Sequence, residues 1–153
     1  MFELFKSTVN KFKNNKENIQ KEEINALNSI VALLVEAASI DGEIGSDENK
    51  QIENILIERL NLEKTKAVKI LEQTILGSEE QIEIWSKTSD IRKKLDYEER
   101  LNILELMWEI VLVDDVLDVF EAQLMRRVSG LLFISDIDSG NCKKRAIQKL
   151  QNN

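Results

Sequence analysis

Glu36, Asp41 and Glu48 recur as Glu109, Asp114 and Glu121, each 73 positions further on. Leu33, Leu34 and Ile44 recur at the same offset as Leu106, Met107 and Leu117. Six carboxylates in two matched sets are oxygen donors, and their chemistry is hard-cation binding. Calcium and magnesium take carboxylate and carbonyl oxygens and need neither histidine nor cysteine. A repeat of this length also predicts a pseudo-symmetric protein with two equivalent acidic turns.

The surroundings of these acids pose two physical problems. Glu36 is the only charge between Ile30 and Ile40, and Glu109 the only one between Leu106 and Val113. A carboxylate in such a stretch must be raised in pKa, paired, or exposed through a gap. Asp41 and Asp114 follow long apolar runs, at helix ends where the dipole disfavours negative charge. A bound cation placed between the turns answers both problems. On that reading Asp41 and Asp114 are the first ligands, Glu48 and Glu121 the second, and Glu36 and Glu109 lie innermost or support the others. The structural alternative is equally concrete. Glu48 and Glu121 stand three residues after the plausible N-caps Gly45 and Asp118, the capping-box position. Glu36 and Glu109 have Arg59, Arg100, Arg126 and Arg127 as possible partners.

EF-hands are excluded. Asp41-Gly42, Ile44 and Glu48 match the second half of that loop, but its first and third ligand positions would be Ala37 and Ser39, and in the second copy Ile110 and Leu112. Apolar side chains supply no oxygens there. Any ion must be held by acids converging from different helices.

The composition narrows the function further. A formal charge of −7 disfavours nucleic acid, whose binding relies on neutralising phosphates. The absence of histidine removes Ser-His-Asp and Cys-His catalysis and most zinc sites. No phosphate-binding glycine loop or nucleophile elbow is present, so no enzyme is expected. Cys142 is the sole cysteine, which suits a reducing, cytoplasmic setting. No apolar run reaches the length of a membrane span, and the start lacks the apolar core of a secretory leader.

The elements that must position the acids are helices. The chain has 153 residues, no proline and only five glycines, and no window alternates as a strand does. We expect an all-α bundle of seven or eight helices: residues 2–15, Lys21 to Ile40, 46–60, 63–76, 79–95, 97–113, 118–133 and 136–150. The fifth is broken near Ser86–Asp90, and the last is weakened by Ser139-Gly140-Asn141 and starts there or after. Residues 14–18 read as a connector. Residues 1–16 thus form an amphipathic helix ahead of one domain, 17–153, whose repeat units span about 22–60 and 97–133. The stretch from Leu104 is apolar nearly all round, so the helix carrying it should be central.

Other features have simpler readings. Phe2, Phe5, Val9 and Phe12 form one face of the first helix, opposite its lysines. That face either lies on an anionic membrane or packs on the bundle. Residues 1–16 carry Lys6, Lys11, Lys13 and Lys16 against Glu3, a balance of +3, which leaves −10 for the rest. Trp108 reads as core with its indole N–H bonded internally, and Trp85 as a surface anchor for a partner. Lys143, Lys144, Arg145 and Lys149 read as a solvated basic face.

The pattern of Glu36, Asp41-Gly42, Ile44 and Glu48, repeated as Glu109, Asp114, Leu117 and Glu121, resembles the TerB-like family. That family holds the tellurite-resistance protein TerB and the N-terminal region of the DjlA co-chaperone. Glu98-Glu99-Arg100-Leu101, Leu106-Met107-Trp108 and Val113-Asp114 resemble its second half, and the likeness covers about residues 22–135. The resemblance implies a helical bundle with pseudo-two-fold halves, an acidic face for divalent metal, and a bacterial stress-linked or membrane-associated role alongside partner proteins. Asp115 stands where the second turn would have glycine. A J-domain's His-Pro-Asp motif is ruled out by the missing histidine, so co-chaperone activity of that kind is not implied.

Overall fold

The computed structural model describes residues 17–40, 44–77, 83–113 and 117–152. The helix expected over 2–15, both turn aspartates, Asp41 and Asp114, and the expected start of the fifth helix near 79 lie outside them. Seven α-helices follow in order: α1 Glu17–Ser39, α2 Ser46–Asn54, α3 Lys64–Gly77, α4 Ile84–Lys94, α5 Tyr97–Val111, α6 Val119–Leu131 and α7 Asp136–Gln151. A π-helical turn, Ile55–Arg59, prolongs α2. No strand occurs among the described residues, and none of their helices is long and apolar enough to cross a membrane. The all-α bundle expected from the sequence is the observed fold.

α5 is the centre. Every residue from Asn102 to Val111 is buried, as its unbroken apolar composition requires. It packs mainly against α7 and α1, while α4 covers another side of α1. The stripe on α1 (Leu27, Ile30, Val31, Leu34, Ala37 and Ala38) is buried throughout. α1 begins at Glu17, so part of the expected connector is helical; no glycine or proline interrupts it.

Two expected weak points are corrected. α4 runs unbroken through Ser86–Asp90, because its polar residues find partners: Thr88 donates to the Ile84 carbonyl at 2.8 Å, and Ser29 of α1 donates to Asp90 at 3.1 Å. α7 starts at Asp136 and runs through Ser139-Gly140-Asn141. Ser135 caps it by accepting the Asp138 N–H at 3.2 Å, and Cys142 and Ala146 bury against α5. Packing there outweighs poor local propensity.

Two helix ends use left-handed residues. The π turn closes at Asn61, φ 56°, a residue type that tolerates this conformation. α6 closes at Phe133, φ 58°, with Phe133 N–H donating to Gly130 and Ile134 N–H to Ser129. That is a Schellman closure with an aromatic residue where glycine is usual. Arg92 supports it twice: its guanidinium lies 4.3 Å from the Phe133 ring centroid, and it donates to the Leu131 carbonyl. Arg100 donates to the next carbonyl, Leu132, at 2.9 Å. The two arginines also complement the negative end of the α6 dipole.

Candidate functional site

The six repeat acids fall into three structural situations. Glu48 and Glu121 begin helices. Glu48 accepts the Gly45 N–H at 3.0 Å; Glu121 accepts the Asp118 N–H at 3.3 Å and Asp118 accepts the Glu121 N–H at 2.8 Å. The second box is reciprocal and buried; in the first, glycine has no side chain to answer. A third box, Asp96 with Glu99, starts α5. Its Asp-x-x-Glu spacing is visible in the sequence, and the expectations above passed over it.

Glu109 is paired. Arg59, at the end of the π turn, places Nη1 2.9 Å and 3.0 Å from its two carboxylate oxygens. Burial pushes the Glu109 pKa above the usual carboxylate range, and the guanidinium pulls against that rise. Arg59 was among the four arginines the sequence offered.

One helical turn earlier on α5 stands Glu105, which the sequence reading did not single out. It is fully buried and holds three cations. Arg145 Nε donates to it at 2.6 Å, Lys149 Nζ also donates, and Arg59 Nη2 lies 3.7 Å away. Arg145 and Lys149 are therefore ligands of a buried acid and not merely a solvated face. Arg145 also donates to Cys142 Sγ at 3.3 Å, and the thiol donates to the Leu101 carbonyl. Burial outweighs the guanidinium and pushes the Cys142 thiol up to about 11, so the thiolate is disfavoured. The i,i+4 spacings of Glu105/Glu109 and Arg145/Lys149 put each pair on one helix face. Nothing in either segment alone shows that the two faces meet.

Glu36 is the exception. It is half-buried near the end of α1, and burial raises its pKa. No cation among the described residues is ion-paired with it. The position 73 residues after Arg59 is Leu132, so the repeat supplies no second arginine. Glu36 instead lines two grooves. One, about 250 Å³, runs between Ile40 at the end of α1, Ile84, and Phe120, Leu124 and Arg127 of α6. The residue preceding the first acidic turn and the helix following the second thus share one groove. The other groove, about 190 Å³, lies between α1, α3 and α4. Both are smaller than the roughly 300–1,000 Å³ typical of small-molecule cavities. No group of three or more metal-ligating side chains occurs among the described residues.

The tryptophans divide as expected in exposure: Trp108 is buried and Trp85 is exposed. The expected internal bond of Trp108 is not made. Its indole N–H has no partner among the described residues, and Lys143 Nζ stands 5.3 Å from its ring. The ring's apolar area and the cation over its face are what hold it.

A profile of the family described as tellurite resistance protein TerB matches residues 16–144, most of the sequence. The chain belongs to the TerB family. No curated protein and no solved structure matches it. Within this TerB-family chain the repeat halves share their capping glutamates and differ at the inner ones, Glu109 being paired with arginine and Glu36 not.

Proposed function

We propose that this chain is a non-catalytic TerB-family module that binds a hard divalent cation, calcium or magnesium, at its acidic turns. One observation carries the reading. Glu36 is a half-buried carboxylate with a raised pKa and no ion-paired cation among the described residues, five residues before Asp41 and on the groove leading to α6. A cation beside the first turn would compensate it. Asp41 and Glu48 are its proposed ligands with Glu36 behind them. Asp114 and Glu121 are the proposed ligands of the second turn, and Glu109 serves there as the Arg59 anchor. The lone buried cysteine fits a reducing, cytoplasmic location, and the family's description motivates a role in bacterial stress response.

Thermal unfolding of chelator-treated protein across calcium, magnesium, manganese and zinc tests this, beside the double variant Asp41→Asn/Asp114→Asn. Binding to the folded state raises Tm with ion concentration. The expected result is a shift in the parent that the variant lacks. No shift, or an equal shift in both, removes the cation reading.

The second reading is a protein-interaction module with an acidic face. Exposed Val119, Phe120 and Trp85 favour it, as does a groove at Phe120 of a size suited to a partner's side chain. If ions do nothing while Phe120→Ala abolishes capture of a partner that Asp41→Asn/Asp114→Asn also weakens, this reading replaces the first.

A further inference from the structure

The groove between α1, α3 and α4 has an apolar floor, Ala32 and Val35, and charged Glu36 and Lys87 at its edges, with Thr74 and Gly77 on the α3 side. Two large apolar residues stand beside it and face solvent. Ile24, one turn before the groove residue Asn28, is 56% exposed, and Leu76, next to Gly77, is 78% exposed. The outer face of α1 therefore presents an apolar line from Ile24 to Ala32 that no described element covers.

The sequence contains a segment of matching length, pattern and charge. Residues 1–16 place Phe2, Phe5, Val9 and Phe12 at helical spacing and carry +3 against −10 for the rest of the chain. The segment joins α1 directly at Glu17. A helix over residues 2–12 would be about 16 Å long, and Asn28 lies about 17 Å along α1 from Glu17. Residues 13–16 can span about 13 Å, enough for the 8–10 Å separation of packed helices. Folded back antiparallel, the segment would bring Val9 level with Ile24, Phe5 level with Asn28 and Phe2 level with Ala32. The lysines opposite the apolar face would lie over the most acidic part of the chain.

We propose that residues 2–12 dock antiparallel on α1 and insert Phe2 and Phe5 into the groove beside Ala32 and Val35, so that the bundle, and not a lipid surface, is the resting partner of this apolar face.

The test uses the full chain. Phe5→Cys/Asn28→Cys is oxidised beside the control Phe5→Cys/Lys144→Cys, whose second thiol is on exposed α7. Docking predicts an intramolecular crosslink forming at least tenfold faster in the first pair. Equal rates overturn the proposal. Thiol labelling of Asn28→Cys is an independent readout: it should speed up at least fivefold when Phe2→Ser/Phe5→Ser is added, and an unchanged rate overturns the proposal. Circular dichroism confirms that each variant is folded, and the exposed position of Asn28 favours that. Co-sedimentation with phosphatidylserine-containing vesicles by the parent, without fast crosslinking in their absence, would assign the face to membrane and also overturn docking.

Discussion

Arg59 reaches both carboxylate oxygens of Glu109 with a single nitrogen, at 2.9 Å and 3.0 Å, across 50 residues of sequence. Its other terminal nitrogen lies 3.7 Å from Glu105. One guanidinium therefore ties the first half of the chain to two buried acids on the central helix. Removing one partner of a buried pair leaves the other charge uncompensated. Arg59→Met should lower stability by about 3 kcal/mol in denaturant titration. Arg59→Met/Glu109→Leu should recover part of that loss, and failure to recover any would mean that Glu105 is the partner that matters.

Glu36 gives a pH signature. Its pKa is raised by burial from the ordinary 4.5, so between the two values the native state binds more protons than the unfolded state. The contribution of Glu36 is then fully present below 4.5 and is lost as pH rises through the higher native value. In chelator-treated protein Glu36→Gln should raise Tm at pH 7, and the gain should vanish as pH falls toward 4.5. A gain independent of pH would show that the substitution acts through packing.

The capping glutamates can be separated from their charge. Glutamine keeps an oxygen that accepts the N-cap N–H. Glu48→Gln in metal-free protein should change stability by no more than about 0.5 kcal/mol, whereas Asp118→Ala should cost about 1 kcal/mol. If Glu48→Gln also removes the Tm response to calcium or magnesium, the carboxylate is a ligand as well as a cap.

Phe133 isolates backbone strain from stacking. Both Phe133→Ala and Phe133→Gly lose the contact with Arg92, but only glycine is relaxed at φ 58°. Phe133→Gly should be more stable than Phe133→Ala by about 1 kcal/mol in urea unfolding. Equal stabilities would mean that the α6 closure relaxes when the ring is removed.

Cys142 should be inert. With its thiol pushed up to about 11 and its side chain buried, a thiol reagent at pH 8 should label native protein far more slowly than unfolded protein. Fast native labelling would indicate local opening of α7.

The helices were legible where one stripe of apolar residues recurs every three or four positions. That is why the core faces of α1 and α5 were read residue by residue. α7 was not legible at its start. Ser139, Gly140 and Asn141 are poor helix formers, and what overrides them is Glu105, about 40 residues away, through Arg145 and Lys149. The candidate site was half legible for the same reason. Composition and the repeat pointed to Glu36 and Glu109 and even to Arg59, because an isolated acid on an apolar helix demands an explanation. They could not say which of the two glutamates has the arginine. That depends on how the π turn meets α5, a long-range relationship that no local spacing encodes.

The π turn itself has an angular consequence. An α-helix advances about 100° per residue. Deleting one residue within Ile55–Arg59, so that the segment winds as ordinary α-helix, would rotate Arg59 by about that angle and swing its guanidinium off α5. The same deletion would leave composition, charge and helical content nearly unchanged. The surplus residue in this turn works as a phase setting: it fixes the azimuth at which the first half of the duplicated chain presents its cation to the second.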